Sequence, residues 1–426
     1  MLVKGMKRSA MIGITVLLVA AASGFSLAGI QAISGTETQA GIQPDLDMVL
    51  VTSDYTTHDP ILITSDADFV SQGWPGNGTL EDPYVIEGLA IVGPYAEYQA
   101  AIRVHDTTVS YIIRNCILYD VPNSASPMKG IIAANAENSI IEGNVFDSIT
   151  YWAMGSIGIQ AVDCCNMTII SNRISGCQGY GLYDGNGYFY DSIVSGNIIS
   201  NCSHGIQLGF GGRNEITNNV ILNSTSCGMN VGNSNSILSG NVIKSSAKGD
   251  ARGSGLYVLG TGTMVYNNTI SGCSVGLSSQ GQENTFYNNT VEENEYGMRL
   301  AESARRNNVT WNGFVNNSIS VWNDASLVWF DYNYWSDYNG SDANSDGIGD
   351  VPYENFYEGV TDNHPLMYWP WHAPPAVTTT TTMTIDGHPI PPVAMTALVA
   401  GVVSVIVVII TVRIMMKKQL AHQSSS

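Results

Sequence analysis

Charge is what this sequence has least of. Only 12% of its 426 residues are Asp, Glu, Lys or Arg, and 17 basic residues face 36 acidic ones. So thin a basic complement excludes the clustered Lys and Arg that nucleic acids and other polyanions require. Surface helix formers are also sparse. Asn, Ser, Thr and 44 glycines take their place, which argues against a helical body and for turns and short strands. Seven cysteines are present: Cys116, Cys164, Cys165, Cys177, Cys202, Cys227 and Cys273. None forms a Cys-x-x-Cys pair, so a zinc ribbon or thioredoxin-like site is not indicated, and an odd number cannot pair completely within one chain.

Two long apolar runs stand apart. The first extends from Ala10 to about Ala32 behind Lys4, Lys7 and Arg8. Its charge, apolar core and small-residue end are those of a secretory signal, with an uncleaved anchor as the alternative. The second, Val393–Val412, has no charge and is followed by Arg413, Lys417 and Lys418. At about 1.5 Å per residue it matches the roughly 30 Å of a bilayer core, and its basic flank places that end in the cytoplasm. The expectation is a single-pass protein of the cell membrane with an extracellular body. Three basic residues precede the first run and three follow the second. The exported part therefore keeps 11 of the 17 against all 36 acidic residues, a net of −25. Such a surface tolerates neutral glycans and attracts Ca²⁺.

Between the runs the chain repeats. Asn followed by an apolar pair opens Asn172-Arg-Ile, Asn197-Ile-Ile, Asn219-Val-Ile, Asn241-Val-Ile, Asn268-Thr-Ile and Asn289-Thr-Val, with weaker copies at Asn115, Asn144 and Asn312. A second unit, Gly plus an apolar residue, alternates with it at Gly158, Gly181, Gly205, Gly228, Gly255, Gly276 and Gly297. Two interleaved series with one period mean one repeating coil. Neither a leucine ladder nor a helical period is present, and the short alternating runs are bounded by turn residues. The fold class is therefore all-β, a right-handed parallel β-helix of roughly ten coils, about 50 Å long at about 4.8 Å per coil. Ile174, Ile199, Ile221, Ile243, Ile270 and Val291 are its interior ladder. The Asn side chains stack on one another, and the Gly of the second unit supplies positive φ. Cys177, Cys202 and Cys273 share a register with Ser224, Ser246 and Asn294, which reads as small buried side chains in a turn, the thiols inert.

The resulting organisation is a signal or anchor over 1–34, an N-terminal cap over 35–80 and β-helix repeats over 81–321. A Trp- and Tyr-rich C-terminal cap covers 322–372, a Thr/Pro stalk 373–392, the transmembrane helix 393–412 and a cytoplasmic tail 413–426.

Chemistry-bearing motifs are few. Asp342, Asn344, Asp346 and Asp350 stand at positions 1, 3, 5 and 9 of a loop with Gly347 at position 6, the first part of a calcium loop. Tyr353 holds position 12, so the closing Glu is absent; an Asx turn is the alternative. Acids within the repeats are Asp163, Asp184, Asp191, Asp250, Glu283, Glu292, Glu293 and Glu295, and the candidate bases are His204, Arg252 and Arg299. No carboxylate pair recurs at one register, which favours solvated charge over catalysis. Asp362, His364, Met367 and His372 form the one cluster suggestive of copper, and it does not make an array. Tyr180, Tyr183, Tyr188, Phe189 and Tyr190 are candidates for stacking on sugars. Sequons fall at Asn77, Asn166, Asn201, Asn223, Asn267, Asn288, Asn308, Asn316 and Asn339.

Gly73-Trp-Pro-Gly-Asn-Gly-Thr79, followed by Asp82-Pro-Tyr-Val-Ile-Glu-Gly88, resembles the first coil of NosD-like β-helix proteins. Asn333-Tyr-Trp-Ser-Asp-Tyr338, Asp346-Gly-Ile-Gly-Asp-Val-Pro-Tyr353 and Asp362-Asn-His-Pro-Leu-Met367 resemble that family's closing signature. The resemblance spans roughly residues 60–367. It implies a fold similar to carbohydrate-binding and sugar-hydrolase β-helices, a surface location of the stalked archaeal kind, and a kinship with a periplasmic accessory of copper-site assembly. Three functions follow as expectations. The first is non-catalytic binding of glycans or other surface components. The second is a carbohydrate-active enzyme (lyase, hydrolase or epimerase), and the third is metal delivery.

Overall fold

The computed structural model describes residues 55–92, 100–119, 129–147, 155–246, 253–355 and 359–370, with a two-residue pairing at 384–385 and 388–389. The expected signal or anchor, transmembrane helix and tail lie outside the described residues, as does nearly all of the stalk. Among the described residues no helix is long and apolar enough to cross a membrane.

Each coil contributes three short strands to three sheets of 12, 11 and 13 strands. One coil shows the pattern. Val220–Leu222 enters the first sheet, Cys227–Val231 the second and Ile237–Ser239 the third. The central residues Ile221, Met229 and Leu238 point inward and are fully buried. Along the coils each strand pairs in parallel with the equivalent strand one coil away, as Ile199↔Ile221 and Ile221↔Ile243; at the C-terminal end of the third sheet the neighbours Tyr353–Asn355 and Val360–Asp362 pair antiparallel instead. This is a parallel β-helix, and the expected aliphatic ladder from Ile174 to Val291 lines its core. Each such side chain contributes roughly 1.5–3 kcal/mol by leaving water.

The corner before the first sheet is held by asparagine. From Asn144 through Asn172, Asn197, Asn219, Asn241, Asn268, Asn289 and Asn312 to Asn333, every side chain is buried. Asn219 is typical. Its backbone N–H and its Nδ2 both donate to Oδ1 of Asn241 at 3.0 Å, and Nδ2 also donates to the Val194 carbonyl at 2.9 Å. A corner breaks the sheet's own hydrogen bonding, so the ladder satisfies backbone groups that would otherwise be orphaned. The residue before each ladder Asn turns the chain with positive φ: Asn115, Gly143, Ser171, Gly196, Asn218, Gly240, Asn267 and Asn288 lie between 51° and 66°. Asn115, expected as a repeat start, thus occupies the turn position, and Cys116 takes the ladder place by donating its N–H to Asn144 Oδ1.

The glycines of the second unit have another reason for being there than positive φ. A Cβ on Gly205 would lie 2.4 Å from the Gly228 carbonyl oxygen and 2.6 Å from Ile221 Cγ2. The second sheet closes over the first at this corner with no room for a side chain.

Both cap boundaries move outward. Thr56–Thr57 and Ile61–Ile63 already pair with Leu89–Val92 and Ala100–Thr107, so rungs begin well before residue 81. A short helix, Asp66–Ser71, closes that end by placing Phe69 on Tyr84 at 4.7 Å. At the other end the parallel rungs continue past 321 through Trp329–Asp331 and Tyr334–Trp335. There Trp335 stacks between Phe314 and Tyr353, at 4.8 and 4.4 Å. The Asn–Gly repeat fades at both ends because terminal rungs need bulky closing groups where inner rungs need small ones.

Candidate functional site

The outward face of the second sheet carries the most distinctive surface. The third position of each Gly–apolar unit points outward, and parallel register aligns these positions. Tyr183 pairs with Gln207, Gln207 with Asn230 and Asn230 with Tyr257. The row continues through Ser278 and Arg299 to Trp322. Asn230 Nδ2 donates to Gln207 Oε1 at 3.3 Å. Tyr180 stacks on Tyr183 at 4.2 Å and lies 4.9 Å from His204. At the far end Tyr296 meets Trp322 edge-on at 6.4 Å. Burial holds the His204 imidazole below its usual range and pushes the Tyr183 and Tyr257 phenols up.

Beside the C-terminal half of this row lies a groove of about 440 Å³ whose lining includes Tyr257, Ser278, Gln280, Arg299, Glu302 and Asp324. Of these, only Arg299 was marked by the sequence. The position two residues after each repeat Gly finds Tyr257 and Ser278, while Gln280, Glu302 and Asp324 carry no repeat signal.

The other sequence candidates scatter. Tyr188 is 63% exposed and faces Phe210 at 6.3 Å, and Arg213 lies over Tyr190 at 5.8 Å. Phe189, expected to stack on sugars, is instead fully buried, because alternation along Tyr188–Tyr190 turns it into the core. Asp184 is buried too, its carboxylate accepting N–H bonds from Gly209, Phe210 and Asn186; burial still pushes its acid up. Asp191 pairs with Arg213, and Glu283 with Arg306. Asp250 and Arg252 lie outside the described residues. None of the cysteines forms a disulfide, and burial pushes Cys116 up to about 11 and Cys164 and Cys227 to about 12. A hydrogen bond between the Cys177 and Cys202 thiols, together with burial, holds Cys177 well above the usual thiol range.

In the Asp-rich loop, Asp342 accepts the N–H groups of Asp346 and Gly347, and Asp346 accepts that of Ile348. Asn344 Nδ2 donates to Asp346, and Asp350 accepts the Ala343 N–H at 2.7 Å. Gly347 has φ +86, the sharp turn its position requires. Asp362 accepts bonds from Asn333, Trp335, Tyr332 and His364, and His364 Nδ1 lies 2.7 Å from Asp331. Among the described residues no three His, Cys, Asp or Glu side chains gather as a metal site. Asp362 is committed to closing the fold; His372 lies outside the described residues.

Of the sequon asparagines all but Asn308 are exposed. Asn166, Asn201, Asn223, Asn267, Asn288 and Asn316 have φ between 51° and 56°, a conformation Asn tolerates better than most residues. That requirement alone accounts for Asn at these corners.

Three stacked parallel sheets closed by a buried Asn ladder define a parallel β-helix protein. Residues 82–188 match the right-handed beta helix region, and residues 188–357 match the family described as periplasmic copper-binding protein (NosD). The chain is a right-handed parallel β-helix protein, and its residues 188–357 are similar to the NosD family. It is 37% identical over 91 residues to the probable ABC transporter binding protein NosD of Stutzerimonas stutzeri, a match covering 20% of each chain. The matched region is thus about a fifth of that relative's length. Among solved structures it is similar to PfbA, a surface adhesin of Streptococcus pneumoniae, with TM-score 0.41 and 10% identity over 66% of this chain and 81% of the other. It is also similar to the enzymatically active domain of bacteriophage CBA120 tailspike protein 2, with TM-score 0.40 and 11% identity over 57% and 43%. For the periplasmic alginate epimerase AlgG the values are 0.36 and 12% over 65% and 79%.

Proposed function

We propose that this protein is a membrane-anchored, extracellular β-helix that binds glycans or another surface component without transforming them. The observation that carries the reading is the outward row from Tyr183 to Trp322, in which aromatic rings alternate with amide and hydroxyl groups beside a groove. Rings stack on the apolar faces of sugars, and amides match their hydroxyls. The charge-free run Val393–Val412 and its basic flank support the tether.

A carbohydrate-active enzyme is the second reading, favoured by the presence of Glu302, Asp324 and Arg299 in one groove. Against it, a carboxyl acting as general acid is normally kept protonated by an apolar pocket, whereas Glu302 and Asp324 are both exposed. Metal delivery, the third reading, rests on the family match alone. A glycan array probed with the detergent-solubilised full chain tests the proposal. Binding is expected, with no reducing ends or unsaturated sugars released from the bound glycan. Turnover would establish the enzyme instead.

The loop from Asp342 to Asp350 is proposed to take Ca²⁺. The Asp342 and Asp346 oxygens that each accept one N–H keep a further lone pair, whereas Asp350 Oδ2 accepts both the Ala343 N–H and the Ser341 hydroxyl, and the three carboxylates lie within nine residues.

A further inference from the structure

Outward side chains in one parallel register form a straight line, so what recurs along the line is a ruler. In the second sheet the recurrence has a period of three rungs. Tyr183 is followed by Gln207 and Asn230, then Tyr257; Tyr257 is followed by Ser278 and Arg299, then Trp322. At about 4.8 Å per rung the rings stand about 14 Å apart, and the line from first to last measures about 29 Å. The first and last rings are each reinforced from the same face, Tyr183 by Tyr180 and Trp322 by Tyr296. Between the rings stand hydrogen-bonding groups, with Gln207 and Asn230 joined by a 3.3 Å contact long enough to yield to a hydroxyl.

We infer that this row is a track for a linear, electrically neutral polysaccharide lying parallel to the β-helix axis. The inference rests on the glycan-binding reading above and adds the class and direction of the ligand. Three equally spaced rings fit a polymer better than a single sugar, which would need its contacts gathered at one point. Neutrality follows from charge. Arg299 is the one charged residue in the row, and Glu302 and Asp324 line the groove beside it. The exported part, with 36 acidic residues in all, repels a polyanion. A neutral chain meets no such penalty, and its hydroxyls both donate to carboxylates and accept from a guanidinium.

The test is affinity electrophoresis of the detergent-solubilised full chain through gels containing a soluble β-glucan, mannan, xylan or, separately, polygalacturonate. The variants are Tyr257→Ala and Trp322→Ala, with Trp329→Ala as an exposed aromatic outside the row, all checked for unchanged far-UV circular dichroism. The expected result is retardation by at least one neutral polymer. Affinity should fall about tenfold in each row variant, as for loss of a stacked ring, and stay unchanged in Trp329→Ala. Oligomers of that polymer should bind more tightly as they lengthen toward the span of the row. If no polymer retards the protein, both the track and the glycan-binding reading fall. If a polymer binds equally well to wild type and both row variants, the track falls and glycan binding stands elsewhere. Monosaccharide binding as tight as polymer binding, or preference for polygalacturonate, overturns the track as well.

Discussion

Asp362 Oδ2 accepts both the backbone N–H and the side-chain Nδ2–H of Asn333, at 2.8 and 3.0 Å. Every earlier ladder Asn makes this same pair of bonds to the next Asn. Asp362 therefore completes the ladder with an acceptor that has nothing to donate onward. It also takes the Trp335 indole N–H at 3.0 Å and, on Oδ1, the N–H groups of Tyr332 and His364 at 3.1 Å each. Burial pushes its acid up, and the Asn333 bonds oppose that shift. Five donors on one carboxylate leave no place for an amide NH₂. Asp362→Asn must aim two hydrogens at donors and is expected to cost about 1–3 kcal/mol in urea unfolding, with Asp362→Ala costing more. An Asp362→Asn variant as stable as wild type would refute the ladder-terminating role.

Inward and outward positions of one coil should differ sharply. Ile221 is fully buried between Ile199 and Ile243, whereas Asn223, two residues on, is exposed at a left-handed corner. Ile221→Asp places an unpaired charge in the aliphatic ladder and is expected to prevent folding or to cost several kcal/mol. Asn223→Asp keeps a residue that tolerates positive φ and should stay within about 0.5 kcal/mol. Thermal melts of the two variants decide this, and equal losses would contradict the register.

Much of this architecture was legible because a solenoid writes its structure into sequence once per coil. The interior ladder from Ile174 to Val291 and the Asn ladder could be read by alignment of the chain on itself. Two kinds of feature could not. The repeat Gly has the same signature whether it supplies a positive φ or a close approach, and only the clash of a Cβ at Gly205 with Ile221 tells them apart. The outward row is spread over residues 21 to 27 apart, each different from the last, so Tyr257 and Trp322 gain meaning only when register aligns them. A run of aromatics such as Tyr188–Tyr190 is not one surface, because a strand alternates its faces and turns Phe189 inward.

The N-terminal cap helix is fastened by a carboxylate. Asp66 accepts bonds from Thr107 Oγ1 at 2.6 Å and from the N–H and Oγ1 of Thr108 at 3.0 and 3.1 Å. The Thr107 bond is the main reason its acid is held below the usual carboxylate value. A depressed folded-state pKa means that the unfolded chain binds more protons as pH falls. The stabilisation is complete above the unfolded value near 4 and is lost as pH drops through the lower folded value. Asp66→Asn should cost about 1 kcal/mol at pH 7, allowing for solvent screening, and the gap from wild type should narrow as pH falls below 4. A gap constant with pH would mean that shape, not charge, holds the cap.

The Asp-rich loop offers the sharpest test of a bound ion. Its three carboxylates stand at positions 1, 5 and 9, and Gly347 with φ +86 makes the turn between them. In the described conformation they hold N–H groups of their own loop, which preshapes the backbone, and they do not converge on one point. Ca²⁺ takes six to eight oxygens, so side-chain rotation, the Asn344 carbonyl and water would complete a site. The cation would relieve repulsion among the aspartates and pin the loop beneath Tyr338, whose hydroxyl already bonds to the Val351 carbonyl at 2.6 Å. An ion that binds only the folded state stabilises it by about 2.7 kcal/mol at a hundredfold excess over Kd. Millimolar Ca²⁺ is therefore expected to raise the Tm of the purified protein, and EDTA to lower it. Asp346→Ala should remove the difference without changing the β spectrum. A wild-type melt indifferent to Ca²⁺ would leave these residues as an Asx turn closed by its own hydrogen bonds.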